Sequence, residues 1–184
     1  MKIALLNLPF DNNYGGNLQR YALVKVLQYM GHDVVHIYLK TVYFLPWYIK
    51  PYSYIKRIIK KYVFRQDICI LYEKYQNAEI DKSCEMVLPF YDHYIPHTTP
   101  VRSIKEIKQV CKNGFDAYIV GSDQVWRPKY TGGIEKYFLS FADNRIKKIA
   151  YSASFGTDKN EYSFYEKWVC GKLIKRFDAI SVRE

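Results

Sequence analysis

Five short apolar runs punctuate the chain, at Lys2–Leu8, Asp33–Tyr38, Asp116–Val120, Lys148–Gly156 and Asp178–Val182. The run Ala117-Tyr118-Ile119-Val120 is unbroken, which predicts a strand buried on both faces. After the first run come Pro9 to Asn17, a loop rich in turn formers, and then a helical pattern from Leu18. Leu18, Ala22, Leu23, Val26, Leu27 and Met30 fall on one face of that helix, Arg20, Lys25 and Gln28 fall elsewhere, and Gly31 ends it. Strand, glycine loop, helix and strand in succession form a βαβ unit, whose crossover implies parallel strands.

The same reading extends down the chain. Ser103-Ile104-Lys105-Glu106 has the spacing of a capping box. It predicts a helix with Ile104, Ile107, Val110 and Cys111 inward, closed by Asn113-Gly114. Asp158-x-x-Glu161 predicts the start of another helix carrying Tyr165, Trp168, Val169 and Leu173. A helix is expected near Ile68–Ile80, then an irregular stretch containing Pro89, Pro96 and Pro100. The predicted fold class is α/β: a Rossmann-like parallel sheet with helices on both faces.

The segment from Lys40 to Gln66 departs from this alternation. It carries Lys40, Lys50, Lys56, Arg57, Lys60, Lys61 and Arg65 and no acidic residue. Tyr43, Phe44, Trp47, Tyr48, Tyr52, Tyr54, Tyr62 and Phe64 are interleaved, and Pro46 and Pro51 break its first half. Ser53–Gln66 then reads as a basic amphipathic helix with Ile55, Ile58, Ile59 and Tyr62 as its stripe. Such an inserted arm either lies on an anionic membrane surface or packs on the domain with a solvated basic face.

Composition narrows the classes. With 49% apolar residues a full core is expected, and 19 tyrosines imply many half-buried rings. The formal charge of +10 favours anionic partners. Cys69, Cys84, Cys111 and Cys170 form no Cys-x-x-Cys pair, and the first apolar run is too short for a signal sequence or a span. These features predict free thiols in the cytoplasm. His93 and His97 are four apart with Pro96 between them, so no metal site is expected.

Candidate chemistry gathers where the predicted strands end. The first ends near Asn12, Asn13, Gly15, Gly16 and Asn17, the third at Gly121, Ser122, Asp123 and Gln124, the fourth at Ser152, Ser154 and Gly156, and the fifth at Arg183. In a parallel sheet these clusters share one edge, where ligands bind. The glycine loop is neither a dinucleotide fingerprint nor a Walker loop. Gly15, Gly16 and Asn17 stand where N–H groups at a helix N-terminus receive an anion, or where Asn17 merely caps the helix. For Asp123 the alternatives are a base and a turn cap. No Ser-His-Asp or Cys-His set is apparent.

Four blocks together resemble the polysaccharide pyruvyl transferase family: Asn13-Tyr-Gly-Gly-Asn-Leu-Gln-x-Tyr-Ala-Leu23, Phe115-Asp-Ala-Tyr-Ile-Val-Gly-Ser-Asp-Gln-Val-Trp126, Lys148-Ile-Ala-Tyr-Ser-Ala-Ser-Phe-Gly156 and Ile180-Ser-Val-Arg-Glu184. The resemblance implies the first half of a glycosyltransferase-B-like two-domain architecture. Residues 1–184 would form the N-terminal Rossmann-like domain, with the arm at about 40–66, and the family's C-terminal domain would be absent. It also implies transfer of pyruvate from phosphoenolpyruvate to two hydroxyls of a sugar or lipid-linked oligosaccharide, giving a ketal in a surface-polysaccharide precursor. Phosphoenolpyruvate is then a co-substrate, with no cofactor and no nucleic acid partner. The expected location is cytoplasmic, peripheral at the inner face of the membrane. Arg183 matches the family's arginine after the fifth strand and is the donor-binding candidate. Asp123 is the weak catalytic candidate, and the remaining strand-end residues line the cleft. The general acid is expected in the other half, so this chain alone is expected to be inactive. Two alternatives stay open: a sugar-nucleotide-dependent transferase on the same architecture, and a non-catalytic docking module.

Overall fold

The structure, a computed structural model, describes residues 1–43, 45 and 47–183. Phe44, Pro46 and Glu184, used in the reading above, lie outside the described residues. Two short sequences recur and set the register of the sheet. Lys2-Ile3-Ala4 opens β1 (Lys2–Leu6), and Lys148-Ile149-Ala150 lies in β4 (Lys147–Ala153). Phe115-Asp116-Ala117 leads into β3 (Ala117–Asp123), and Phe177-Asp178-Ala179 into β5 (Ala179–Val182). Ile3 sits opposite Ala117 and Ile149 opposite Ala179. In both pairs the aspartate closes a ring. The Asp116 N–H donates to the Lys2 carbonyl at 2.8 Å, and its carboxylate accepts from the Lys2 N–H at 2.6 Å. Asp178 does the same with Lys148, at 2.8 Å both ways. A one-residue slip would break both bonds and turn every side chain to the wrong face.

With β2 (Asp33–His36), the strands run parallel in the order β2-β1-β3-β4-β5. The helices are α1 (Tyr14–Tyr29), α2 (Lys50–Tyr62), α3 (Tyr72–Cys84), α4 (Leu88–Tyr94), α5 (Ile104–Val110), α6 (Pro128–Thr131) and α7 (Phe164–Leu173). The chain moves one way from β1 to β2 and the other way thereafter, so right-handed crossovers place helices on both faces. Leu23, Val24 and Leu27 of α1 join Tyr91 of α4 under Ile3, Leu5 and Ile119 on one face. Ile107 of α5 and Cys170 of α7 join Trp126 and Phe138 against Ala4, Leu6 and Val120 on the other. The fold is α/β and Rossmann-like, as the alternation of strand and helix predicts. All four cysteines are free thiols.

Several local expectations are corrected. α1 starts at Tyr14, and Asn13 rather than Asn17 is its cap: the Asn13 side chain accepts from the Gly16 N–H at 3.2 Å. The inward face holds Asn17, Arg20, Leu23, Val24 and Leu27, whereas Leu18, Val26 and Met30 are exposed. The helix is rotated from its apolar stripe because two polar side chains hold the preceding loop. Asn17 donates to the Asp11 carbonyl at 2.9 Å and Arg20 to the Leu8 carbonyl at 2.8 Å. The stretch around Pro89 is helical, with proline in the first turn of α4, where no N–H is needed. Asp158 and Glu161 cap nothing; Ser163 and Glu166 form the complete capping box that starts α7. Trp168 and Tyr165 of that helix are exposed. An apolar strand such as Ala179-Ile180-Ser181-Val182 is expected to be buried, yet β5 is exposed along its whole length. It is the edge strand, and among the described residues no layer covers it.

Beside the end of β2, His36 is completely buried, with Nδ1 2.6 Å from the Tyr91 hydroxyl, and His97 stacks on Tyr91 at 4.6 Å. Burial, followed by the nearby Arg20 and His97, holds the His36 pKa well below its ordinary value. The folded state therefore keeps this ring neutral where the unfolded chain takes up a proton. Stability from His36 is present above the unfolded value of about 6.5 and is lost as pH falls toward the folded value. Between the unfolded value and the lower folded one, unfolding free energy should drop by up to about 1.4 kcal/mol per pH unit for this one proton, and below the folded value the drop ceases. Urea unfolding across pH checks this: the drop should shrink in His36→Asn, and an unchanged slope would remove the ring as its cause.

Candidate functional site: a cleft at the switch point of the sheet

The strand order reverses between β1 and β3, and a crevice opens just past the carboxyl ends of strands at such a point. Here the crevice is a cleft of about 840 Å³. One wall is the loop after β1, with Leu8, Pro9, Asp11 and Asn13; a second is Thr41, Val42 and Tyr43 beyond β2. The third is Asp123 and Gln124 at the end of β3, with Lys129 and Tyr130 of α6. Its inner corner is lined by Asn7, Gly16, Arg20, Ser122 and Asp123.

The β3 end is unusually shaped. Gly121, Ser122 and Asp123 all have positive φ, at 130°, 30° and 150°. A β-carbon on Gly121 would lie 2.1 Å from the Tyr151 carbonyl oxygen, so the backbones of β3 and β4 approach where only glycine fits. The turn is clasped by main chain: the Asp123 carbonyl accepts from Val125 at 2.7 Å and from Ser154 at 3.0 Å, and the Ser154 carbonyl accepts from Trp126 at 3.1 Å. Trp126 is core, stacked on Phe138 at 5.1 Å and donating to the Tyr137 carbonyl at 3.2 Å. Backbone strain of this kind concentrates at functional sites.

The clasp leaves the Asp123 carboxylate out of the turn's hydrogen bonds, which its carbonyl makes instead. Asp123 and Asp11 both line the cleft. Gln124 is held by Arg127, which donates to its side-chain oxygen at 3.1 Å and pairs with Glu161 at 3.0 and 2.9 Å. The hydrogen bonds to Arg127 lower the Glu161 pKa.

Among the described residues, three buried polar atoms in the inner corner have no hydrogen-bond partner: Asn7 Oδ1, Ser122 Oγ and Arg20 Nε. Buried polar groups are ordinarily paired, which makes their gathering in one corner a candidate for recognising a polar ligand. Arg20 is the notable member. Its guanidinium donates to Asn17 and the Leu8 carbonyl and lies over the rings of Phe10 and Tyr91 at 5.7 and 5.8 Å. Burial lowers its pKa; Tyr91 and Asp11 oppose that effect. Among the described residues no carboxylate forms an ion pair with it.

The predicted residues divide accordingly. Asn13, Gly16, Ser122, Asp123 and Gln124 meet at the cleft. Gly16 and Asn17 spend their N–H groups on Asn13, so the helix start is largely closed to an anion and Gly15 alone of the three is left. Asn17 and Gly121 are buried supports. Asn12 is exposed, and Ser152, Ser154 and Gly156 belong to the clasp side of β4 rather than to the cleft lining. The Gly156 N–H donates to Ser154 Oγ at 2.9 Å, and Gly156 packs against Gln124. Arg183 is exposed where β5 ends, its N–H bonded to the Ala153 carbonyl at 3.1 Å. It shares the ligand edge with Ser122 and Ser154 but stands two strand spacings, roughly 10 Å, from β3.

The family model for polysaccharide pyruvyl transferase matches residues 13–184. The chain belongs to the polysaccharide pyruvyl transferase family. No curated protein matches it. In this pyruvyl transferase chain, β1 and the first part of the loop after it precede the matched residues, yet they supply Asn7, Leu8 and Asp11 to the cleft. Asp11, Arg20, Lys129 and Tyr130 are among the cleft residues that sequence reasoning missed. Arg20 had a signal: a cation one turn after Asn17, on the face that the loop carbonyls require.

Gly121→Ala should destabilise the protein by at least about 3 kcal/mol, since the new methyl meets backbone and the φ is unfavourable. A urea midpoint equal to wild type would show that the approach of β3 to β4 can relax.

Proposed function

We propose that this family member provides the acceptor-side domain for transfer of pyruvate from phosphoenolpyruvate to two hydroxyls of a sugar, forming a ketal. The observation that carries this reading is the family match across residues 13–184. The cleft supports it chemically. Asp11 and Asp123 are acceptor-only groups suited to sugar hydroxyl donors, and Tyr43 and Tyr130 offer ring faces beside them. The reaction adds a proton to the methylene carbon of phosphoenolpyruvate, and one sugar hydroxyl then adds to the cationic carbon. Inorganic phosphate leaves and the second hydroxyl closes the ketal. Of the two hydroxyl protons released, one balances the new methyl group and one leaves with phosphate. In this reading Asp123 takes a proton from a hydroxyl in the cleft.

The donor needs cations for its phosphate and carboxylate, and in the two-domain architecture that the resemblance implies the second domain would face the same sheet edge. Arg183 offers a planar fork matched to either group. A surface Arg183 would pair with Glu184 or Asp178; Glu184 lies outside the described residues, and pairing with Asp178 is disfavoured because that carboxylate is bonded to the Lys148 N–H at the far end of β5. Charge-assisted contacts of this kind are worth about 1.5–3 kcal/mol each. In a two-domain form of the enzyme, Arg183→Lys should lose turnover severely with the fold intact. Asp123→Asn should lose turnover while keeping donor affinity. Phosphate release and donor titration check both, and wild-type turnover in Arg183→Ala would remove Arg183 from the site. The 184-residue chain by itself should show no turnover; ketal formation by it would overturn the division of labour proposed here. Supplying nucleotide sugars in place of phosphoenolpyruvate should give no transfer.

A further inference from the structure

α2 is amphipathic in the opposite sense to a helix that packs on a core. At 100° per residue, Ile55, Ile58, Ile59 and Tyr62 share one face. All four are exposed, and none of the helix's residues is buried. The side turned to the protein is polar. Ser53, Tyr54, Arg57 and Lys60 are the partly covered positions. Arg57 forks onto the Glu73 carboxylate of α3 at 2.8 and 2.6 Å and donates to the Ile70 carbonyl at 3.1 Å. The helix is thus held by its cationic face and presents its apolar stripe outward.

The flanks extend the same surface. Trp47 and Tyr48 before the helix and Val63 and Phe64 after it are exposed, Trp47 by 81%. Contiguous apolar exposure on this scale marks an interaction surface. Its charge selects the partner. Lys56 and Lys61 stand on opposite borders of the stripe, and no acidic residue occurs from Lys40 to Gln66. A second copy would bring like charges together. An anionic bilayer answers every feature at once: the isoleucines enter the acyl boundary, the lysines meet headgroup phosphates, and tryptophan and tyrosine sit at the interface.

We propose that α2 and its aromatic flanks dock the protein on the surface of an anionic membrane. No helix among the described residues is long and apolar enough to cross one, so the contact is peripheral. The segment that leads into α2 also walls the cleft. Tyr43 is fixed by Asn77 of α3 through hydrogen bonds of 2.8 and 3.1 Å. Docking would therefore bring the mouth of the cleft beside the bilayer, where a lipid-borne acceptor is within reach. The docking itself does not rest on the pyruvyl-transfer reading.

Flotation of the 184-residue chain with vesicles tests this, comparing pure phosphatidylcholine with phosphatidylcholine carrying a quarter phosphatidylglycerol. The protein should float with the anionic vesicles, weakly or not at all with the neutral ones, and less at high salt. Ile58→Glu with Ile59→Glu should abolish flotation, and because both side chains are exposed the melting temperature should stay at the wild-type value. Lys56→Gln and Lys61→Gln should each weaken partition about fivefold. Equal binding to both vesicles, no binding to either, or undiminished flotation of the isoleucine and lysine variants would overturn the proposal. Lipid-free dimerisation that requires Ile58, with no flotation, would assign the stripe to a second copy instead.

Discussion

The close approach of β3 to β4 at Gly121 is the constraint on which the cleft depends. The Tyr151 carbonyl occupies the place a side chain would take, and the chain leaves the sheet through three successive residues of positive φ. That geometry sends the Asp123 carbonyl back to Val125 and Ser154 and leaves Asp123 lining the cleft. It also drops Trp126 into the core beneath, where it stacks on Phe138. Strain at the strand end and burial of the indole are two parts of one arrangement. The buried ring and the main-chain clasp hold a backbone conformation that would otherwise relax.

The opposite wall obeys a different rule. α1 turns Asn17 and Arg20 inward because the loop after β1 leaves carbonyls at Leu8 and Asp11 that need donors. A buried guanidinium results, without a paired carboxylate and next to the unpartnered atoms of Asn7 and Ser122. The same side chain thus supports the loop and puts a cation at the inner corner of the site. Lys129 and Arg20 together with Asp11 and Asp123 make the cleft mixed in charge despite the chain's net +10. The excess charge is concentrated in the arm between Lys40 and Gln66, the segment proposed to meet an anionic membrane.

By itself the sequence determined the alternation of strand and helix, the parallel sheet, the shared edge and the family. Each of these rests on local information: unbroken apolar runs, glycines after strands and blocks of matching residues. The doubled Lys-Ile-Ala and Phe-Asp-Ala pattern was also legible there and carries the register, because each aspartate reaches only the strand that begins beside it. The tertiary structure alone decided what depends on a neighbour. Apolar periodicity placed Leu18 and Val26 inward; the needs of the loop carbonyls rotated α1 and buried Arg20 instead. Spacing made Glu161 a cap; Arg127 took it as an ion pair, and Ser163 became the cap. An apolar run predicted β5 to be buried, but burial is a property of what lies alongside, and at the sheet edge nothing described does. The stripe of α2 was readable from residue order, whereas its direction was settled by Arg57 meeting Glu73.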